Sequence, residues 1–100
     1  IFRPRPSYPA AMRRDRIEGF VDVEFTVNVN GLTENARVLQ TVTSDPQRTE
    51  KTQDSDDPDQ SFAAATLAVV KRFRYAPRFE NGVAVPVENV KARVTFKLDK

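Results

Sequence analysis

Hydrophobic and polar positions alternate most cleanly over residues 21–29. Val21, Val23, Phe25, Val27 and Val29 interleave there with Asp22, Glu24, Thr26 and Asn28. A period of two puts one set on a buried face and the other on a wet one, which predicts a half-buried strand. Asn30-Gly31 follows at once, and both residues tolerate positive φ. The pair predicts a two-residue type I′ hairpin turn. The return strand then runs from Leu32 to about Val42, with Ala36 opposite Phe25 and Val38 opposite Val23, so that the apolar faces coincide. The same period returns near the end of the chain, where Val90, Ala92, Val94, Phe96 and Leu98 alternate with Lys91, Arg93, Thr95 and Lys97.

Two segments show helical signals instead. Ser7-Tyr8-Pro9 predicts a helix start, because proline at the first helical position gives up only an N–H that would be unpaired anyway. That helix covers about 9–16, with Tyr8, Ala11 and Met12 facing inward and Arg13, Arg14 and Arg16 outward. Residues 1–8, with Pro4 and Pro6, read as an extended, polyproline-like lead-in. In the second helix Phe62, Thr66, Val69 and Phe73 recur at helical spacing, and Leu67 and Val70 widen the stripe. Asp57-Pro58-Asp59 supplies a cap for its positive end, and Lys71, Arg72 and Arg74 suit its negative end. Asn81-Gly82 marks a further turn, followed by a short extended Val83-Ala84-Val85. The order α-β-β-α-β predicts an α+β domain: a three-stranded antiparallel sheet with two helices on one face. The first strand is central and the last lies on an edge, with one row of backbone groups open.

At 100 residues the chain has room for one domain, 9–100 after the lead-in. It starts at Ile1 rather than Met, so an excised or processed piece is expected. Lys plus Arg is 16 against 14 Asp plus Glu, a net charge of +2, and Cys and His are both absent. Those absences exclude disulfides, thiol catalysis, histidine acid–base work and an ordinary zinc or copper site. No apolar run approaches the ~18 residues of a membrane span. Residues 43–60 have no aliphatic or aromatic side chain, and six acids against Arg48 and Lys51 leave them at −4. This composition predicts a solvated, mobile insertion.

Catalytic chemistry finds few footholds. No serine has a histidine partner, every lysine falls on a polar face or a terminus, and Asp22 and Glu24 fall on the wet face of the sheet. Asp54, Asp56, Asp57 and Asp59 suggest a calcium loop, but Pro58 stands where the third ligand belongs, and Ala65 replaces the closing Glu. The expectation is a non-enzyme with neither metal nor cofactor. Basic residues early (Arg3, Arg5, Arg13, Arg14, Arg16) and late (Lys71, Arg72, Arg74, Arg78), with Phe20, Phe73, Tyr75 and Phe79 as stacking rings, invite a nucleic-acid reading. The small net charge and the lack of a glycine-rich loop or aromatic signature argue against it. What remains is the edge strand. Lys91, Arg93 and Lys97 either discourage edge aggregation or recruit a peptide of acidic character. A copy of the chain could also pair there as a homodimer.

Tyr8-Pro9-Ala10, the run from Arg16 to Val27 and Gly31 together resemble the opening of the C-terminal domain of the TonB family. Phe62, Ala68 and Arg72-Phe73-Arg74-Tyr75-Ala76-Pro77 resemble the end of that family's second helix, and Val90 to Leu98 its last strand. The resemblance implies a periplasmic domain of an energy transducer anchored in the inner membrane of a Gram-negative bacterium. It implies partners too: TonB-dependent outer-membrane transporters, such as those for siderophores, and an ExbB–ExbD-type motor run by the proton gradient. The transporter's TonB box would add as a strand beside the last strand, at Ala92, Arg93, Val94, Thr95, Phe96, Lys97 and Leu98, and near Arg5, Ser7 and Tyr8. Arg5 stands where some members have Gln, Ala11 replaces a frequent basic residue, and Phe73 replaces a frequent Trp. A TonB-like domain of another envelope protein, with a different partner, is the alternative that the resemblance leaves open.

Overall fold

The computed structural model describes residues 1–44 and 57–98. Strand β1 (Gly19–Val27) is the centre of a three-stranded antiparallel sheet, between β2 (Thr33–Thr43) and β5 (Val87–Phe96). Helix α1 (Ala10–Arg14) precedes it, and α2 (Pro58–Val70) follows β2. A small hairpin of β3 (Arg78–Glu80) and β4 (Val83–Val85) lies between α2 and β5. The predicted α+β architecture is the observed one, with this hairpin added. The odd positions of β1, Val21, Val23, Phe25 and Val27, enter one core with Met12, Ile17, Phe62, Val69, Val70, Phe73, Val94 and Phe96.

The hairpin turn after β1 differs from the predicted one. The Asn28 N–H donates to Leu32 O at 2.8 Å and the Gly31 N–H to Asn28 O at 2.9 Å, enclosing three residues rather than two. Gly31 has φ +82° and Asn30 is not at positive φ, whereas a type I′ turn needs both. The reason lies at Asn28, whose Oδ1 accepts from the N–H groups of Asn30 and Leu32 and starts the turn early. Val29 leaves the strand and is 41% exposed. Val23 still faces Val38 as expected. A bulge in β2, where Asn35 takes φ +56°, offsets the extra loop residue and shifts Ala36 out of simple register with Phe25. The two-residue turn occurs instead at Asn81 (φ +53°) and Gly82 (φ +81°), joining β3 to β4.

Both helices are bounded differently from the predicted spans. Pro9 is the N-cap of α1, not its first residue. At the other end Ile17 donates to Met12 O at 2.9 Å and Arg16 to Arg13 O at 3.1 Å, with Arg16 at φ +58°. This is a Schellman stop, with Arg16 in the left-handed position usually held by glycine. Helix α2 starts earlier, at Pro58, because the Asp57 carboxylate accepts the Asp59 N–H at 3.1 Å. It ends at Val70, and Phe73 is buried from a tight turn beyond it rather than from the helix. Of the predicted insertion at 43–60, Thr43 closes β2 and 58–60 open α2. Its interior, 45–56, lies outside the described residues, and with it Asp54 and Asp56 of the calcium-like run.

The lead-in is held to the domain. Phe2 and Arg74 exchange backbone hydrogen bonds of 2.7 and 2.8 Å. The Arg3 guanidinium lies 5.7 Å from the ring centres of both Phe73 and Tyr75 and donates to the Tyr75 hydroxyl. The last strand starts earlier than its alternation predicts and stops at Phe96, leaving Lys97 and Leu98 just past it. Asn89, at φ +60°, forms a bulge that lets Val87 pair with Val27.

Candidate functional site

Two surfaces surround β5, and they differ in how far their charges are neutralised. On the outer sheet face, cross-strand neighbours form two rows. Asp22 accepts from Gln40 at 2.7 Å and from Arg93 at 2.8 and 3.1 Å, and the Arg93 guanidinium sits 3.9 Å from the Phe20 ring centre. Glu24 accepts from Arg37 and, at 3.1 Å, from Asn89. Glu24 was expected on a wet face, yet it is only 7% exposed, because the bulges of β2 and β5 fold Arg37 and Asn89 over it. This face is a closed polar lattice, and it holds Arg93 against the sheet.

The lattice sets a pH dependence. The hydrogen bond from Arg93, and then that from Gln40, holds the Asp22 carboxyl below its ordinary range; Arg37, and then Asn89, do the same for Glu24. Carboxylates depressed in the folded state stabilise it fully above their unfolded values of about 4. That contribution disappears as pH falls through the folded values. Thermal unfolding followed between pH 2 and 6 should show a midpoint that drops on acidification. The drop should be shallower in the Asp22→Asn, Glu24→Gln double variant; an unchanged slope would mean that these bonds do not set it.

The second surface is a cleft of about 650 Å³ at the C-terminal end of β5, lined by Arg5, Pro6, Tyr8, Arg13, Arg16 and the segment Thr95–Leu98. Tyr8 forms its floor. Its ring meets Phe62 and Phe96 edge-on at 5.8 and 5.7 Å, and those two rings stack at 4.4 Å. The Tyr8 hydroxyl donates to Ile17 O. Burial first, and then the Glu18 charge, raise its pKa, while Arg13 acts the other way. The Arg13 guanidinium stands 5.1 Å from the Tyr8 ring centre. Glu18 ties the strand ends together: its carboxylate accepts the Leu98 N–H at 2.8 Å, and its backbone exchanges bonds with Ser44.

Of the residues singled out in the sequence, the cleft gathers Arg5, Tyr8, Thr95, Phe96, Lys97 and Leu98. Ser7 is exposed and does not line it. Val94 points into the core, Ala92 packs beside it, and Arg93 is engaged by Asp22. These three lie on β5, whose second side has no strand partner among the described residues. The sequence places Arg13 and Arg16 on an outward helix side and in the early basic cluster, not beside the last strand. Their place in the cleft follows from the early stop of α1, which brings the helix end beside Tyr8.

The description "Gram-negative bacterial TonB protein C-terminal" belongs to a family model that matches residues 4–48. Among solved structures, the C-terminal domain of TonB from Pseudomonas aeruginosa is similar at a TM-score of 0.68 and 24% identity, covering 100% of this chain and 85% of that one. A TonB2 protein from Vibrio anguillarum is similar at 0.62 and 25% identity, covering 100% and 80%. No curated protein matches the chain.

Proposed function

We propose that this chain, a TonB-like C-terminal domain by its sequence over residues 4–48 and by its fold, grips outer-membrane transporters by adding their TonB box as a strand beside β5. The observation that carries this reading is the open edge of β5, running into a cleft that also receives the lead-in. Main-chain bonds along an edge give affinity, and the side-chain pockets flanking it give selectivity. Arg5, Ser7, Tyr8 and Ala92–Leu98 are the contact residues in this scheme. The domain works in the periplasm of a Gram-negative bacterium, as part of a protein held in the inner membrane. Force from a proton-driven ExbB–ExbD-type motor passes through the grip to the transporter plug. The domain itself is a binding module and performs no bond chemistry.

The test is an amide NMR titration of the labelled 100-residue chain with the N-terminal extensions of TonB-dependent transporters from one organism. Shifts concentrated on Ala92–Leu98 and Arg5–Tyr8 are expected. No shift at millimolar peptide would overturn the reading; weak affinity alone would not, since tethering raises effective concentration in the assembled system.

A further inference from the structure

We propose that the bulge at Asn89 is a register stop: it ends the docking window of β5 at Val90, so that an added strand pairs only along residues 90–96. The proposal rests on the strand-addition reading above. From Val90 to Phe96 the strand pairs one-to-one with Phe25 back to Gly19. The next pair is Val87 with Val27, so Glu88 and Asn89 together face Thr26. Such an extra residue bends the strand, raises its twist and interrupts the ladder. Beyond it, the outward N–H and C=O groups fall out of step with a regular strand already paired along 90–96. Only Val87 and Glu88 then remain before Pro86, which has no N–H to offer. The opposite edge of the sheet shows the same device. Along β2 the pairing with β1 is broken at Leu39 and again at Asn35 and Ala36, and its longest regular run is 40–43. Residues 90–96 are thus the longest unbroken edge of this sheet among the described residues. Bulges are one of the ways in which proteins keep an edge from pairing.

Asn89 is the positioning residue of this stop. It stands at φ +60°, a conformation that asparagine adopts more readily than most residues with a Cβ. Its Nδ2 donates to Glu24 Oε2 at 3.1 Å, and the other Glu24 oxygen accepts from Arg37 of β2. The bulge on the edge strand is therefore tied through the central strand to the far one. A bound peptide cannot iron it out. Expelling the extra residue would slip one half of β5 by a residue and turn that half's inward side chains to the wet face. Val94 and Phe96 are buried in the core on one side of the bulge, and Val87 packs against the core on the other.

Overlapping capped peptides cut from one transporter N-terminal extension test this, one set as long as residues 90–96 and the other as long as 87–96. Amide exchange with a saturating long peptide should show new protection within 90–96 and none at Val87, Glu88 or Asn89. Deleting Asn89 restores one-to-one pairing, and protection should then reach Val87. That variant should bind the long set about tenfold tighter than the unaltered chain does, the return on one or two further main-chain bonds, and the short set equally well. Asn89→Gly keeps the left-handed backbone and should keep the stop. If the deletion variant fails to fold, protection in the unaltered chain and in Asn89→Gly decides alone. Protection reaching Val87 in either of these two, or still ending at Val90 in a folded deletion variant, would overturn the stop and leave strand addition standing. Binding by neither set would overturn strand addition and the stop with it.

Discussion

Phe62→Ala should destabilise the domain by about 3–5 kcal/mol, the usual loss for a fully buried phenylalanine cut to its Cβ. Phe62 is 0% exposed. Its ring stacks on Phe96 from β5 and meets Tyr8 edge-on from the lead-in, so two separate parts of the chain lean on it. Such aromatic pairs add about 0.5–1.5 kcal/mol beyond simple burial. The Phe62 Cε2 also lies 3.3 Å from where a Cβ on Gly19 would stand, which packs α2 tightly against the start of β1. A cavity there closes by moving β5, Tyr8 or the start of β1, and the first two belong to the cleft. Denaturant unfolding checks the size of the effect. A loss below about 1.5 kcal/mol would mean that the site collapses freely around the smaller side chain.

Gly31→Ala should be the next largest, at about 2–4 kcal/mol, and a control separates its two causes. The position has φ +82°, which a Cβ disfavours in any context. An added Cβ would also stand 2.1 Å from the carbonyl oxygen of Tyr75, so backbone has to move. That movement strains the bond from the Tyr75 N–H to Gly31 O, at 2.9 Å, and the neighbouring bridges of Arg74 to Leu32 and Phe2. Gly82 has nearly the same φ, +81°, and nothing within 4 Å of its Cβ position. Gly82→Ala should therefore show the conformational part alone, about 1 kcal/mol. Paired unfolding curves decide the matter; equal losses at the two glycines would mean that the contact with Tyr75 is easily relieved.

The parts of this fold legible in the sequence were those written in long apolar periods. The β1 alternation, the α2 stripe and the final strand each bury one face, and burial fixes which residues face inward. The centre position of β1 followed from the connections alone. Short-range backbone chemistry was less legible. Asn28 outcompeted Asn30 as the start of the first turn through two side-chain bonds that no hydrophobic pattern records. The bulges at Asn35 and Asn89 rest on asparagines in left-handed conformations inside otherwise regular strands, and they bury Glu24 against expectation. Phe73 looked helical because its spacing from Val69 fits a helix, yet its ring reaches the core from a turn. In the cleft, the edge-strand half was readable from the last alternation, and Tyr8 from the family resemblance. Arg13 and Arg16 were not, since their placement depends on where a five-residue helix stops.

Strand addition beside β5 makes a demand that no other mode of docking makes, because successive amides of a strand point to opposite sides. Along Val87–Phe96 one set of N–H groups already faces β1, and the alternate set faces outward. Amide hydrogen exchange of the chain, with and without a saturating transporter N-terminal peptide, reads this directly. The account predicts new protection at every second residue over the C-terminal half of β5, with the intervening amides little changed. Protection confined to the cleft residues, or spread evenly along β5 without alternation, would contradict it.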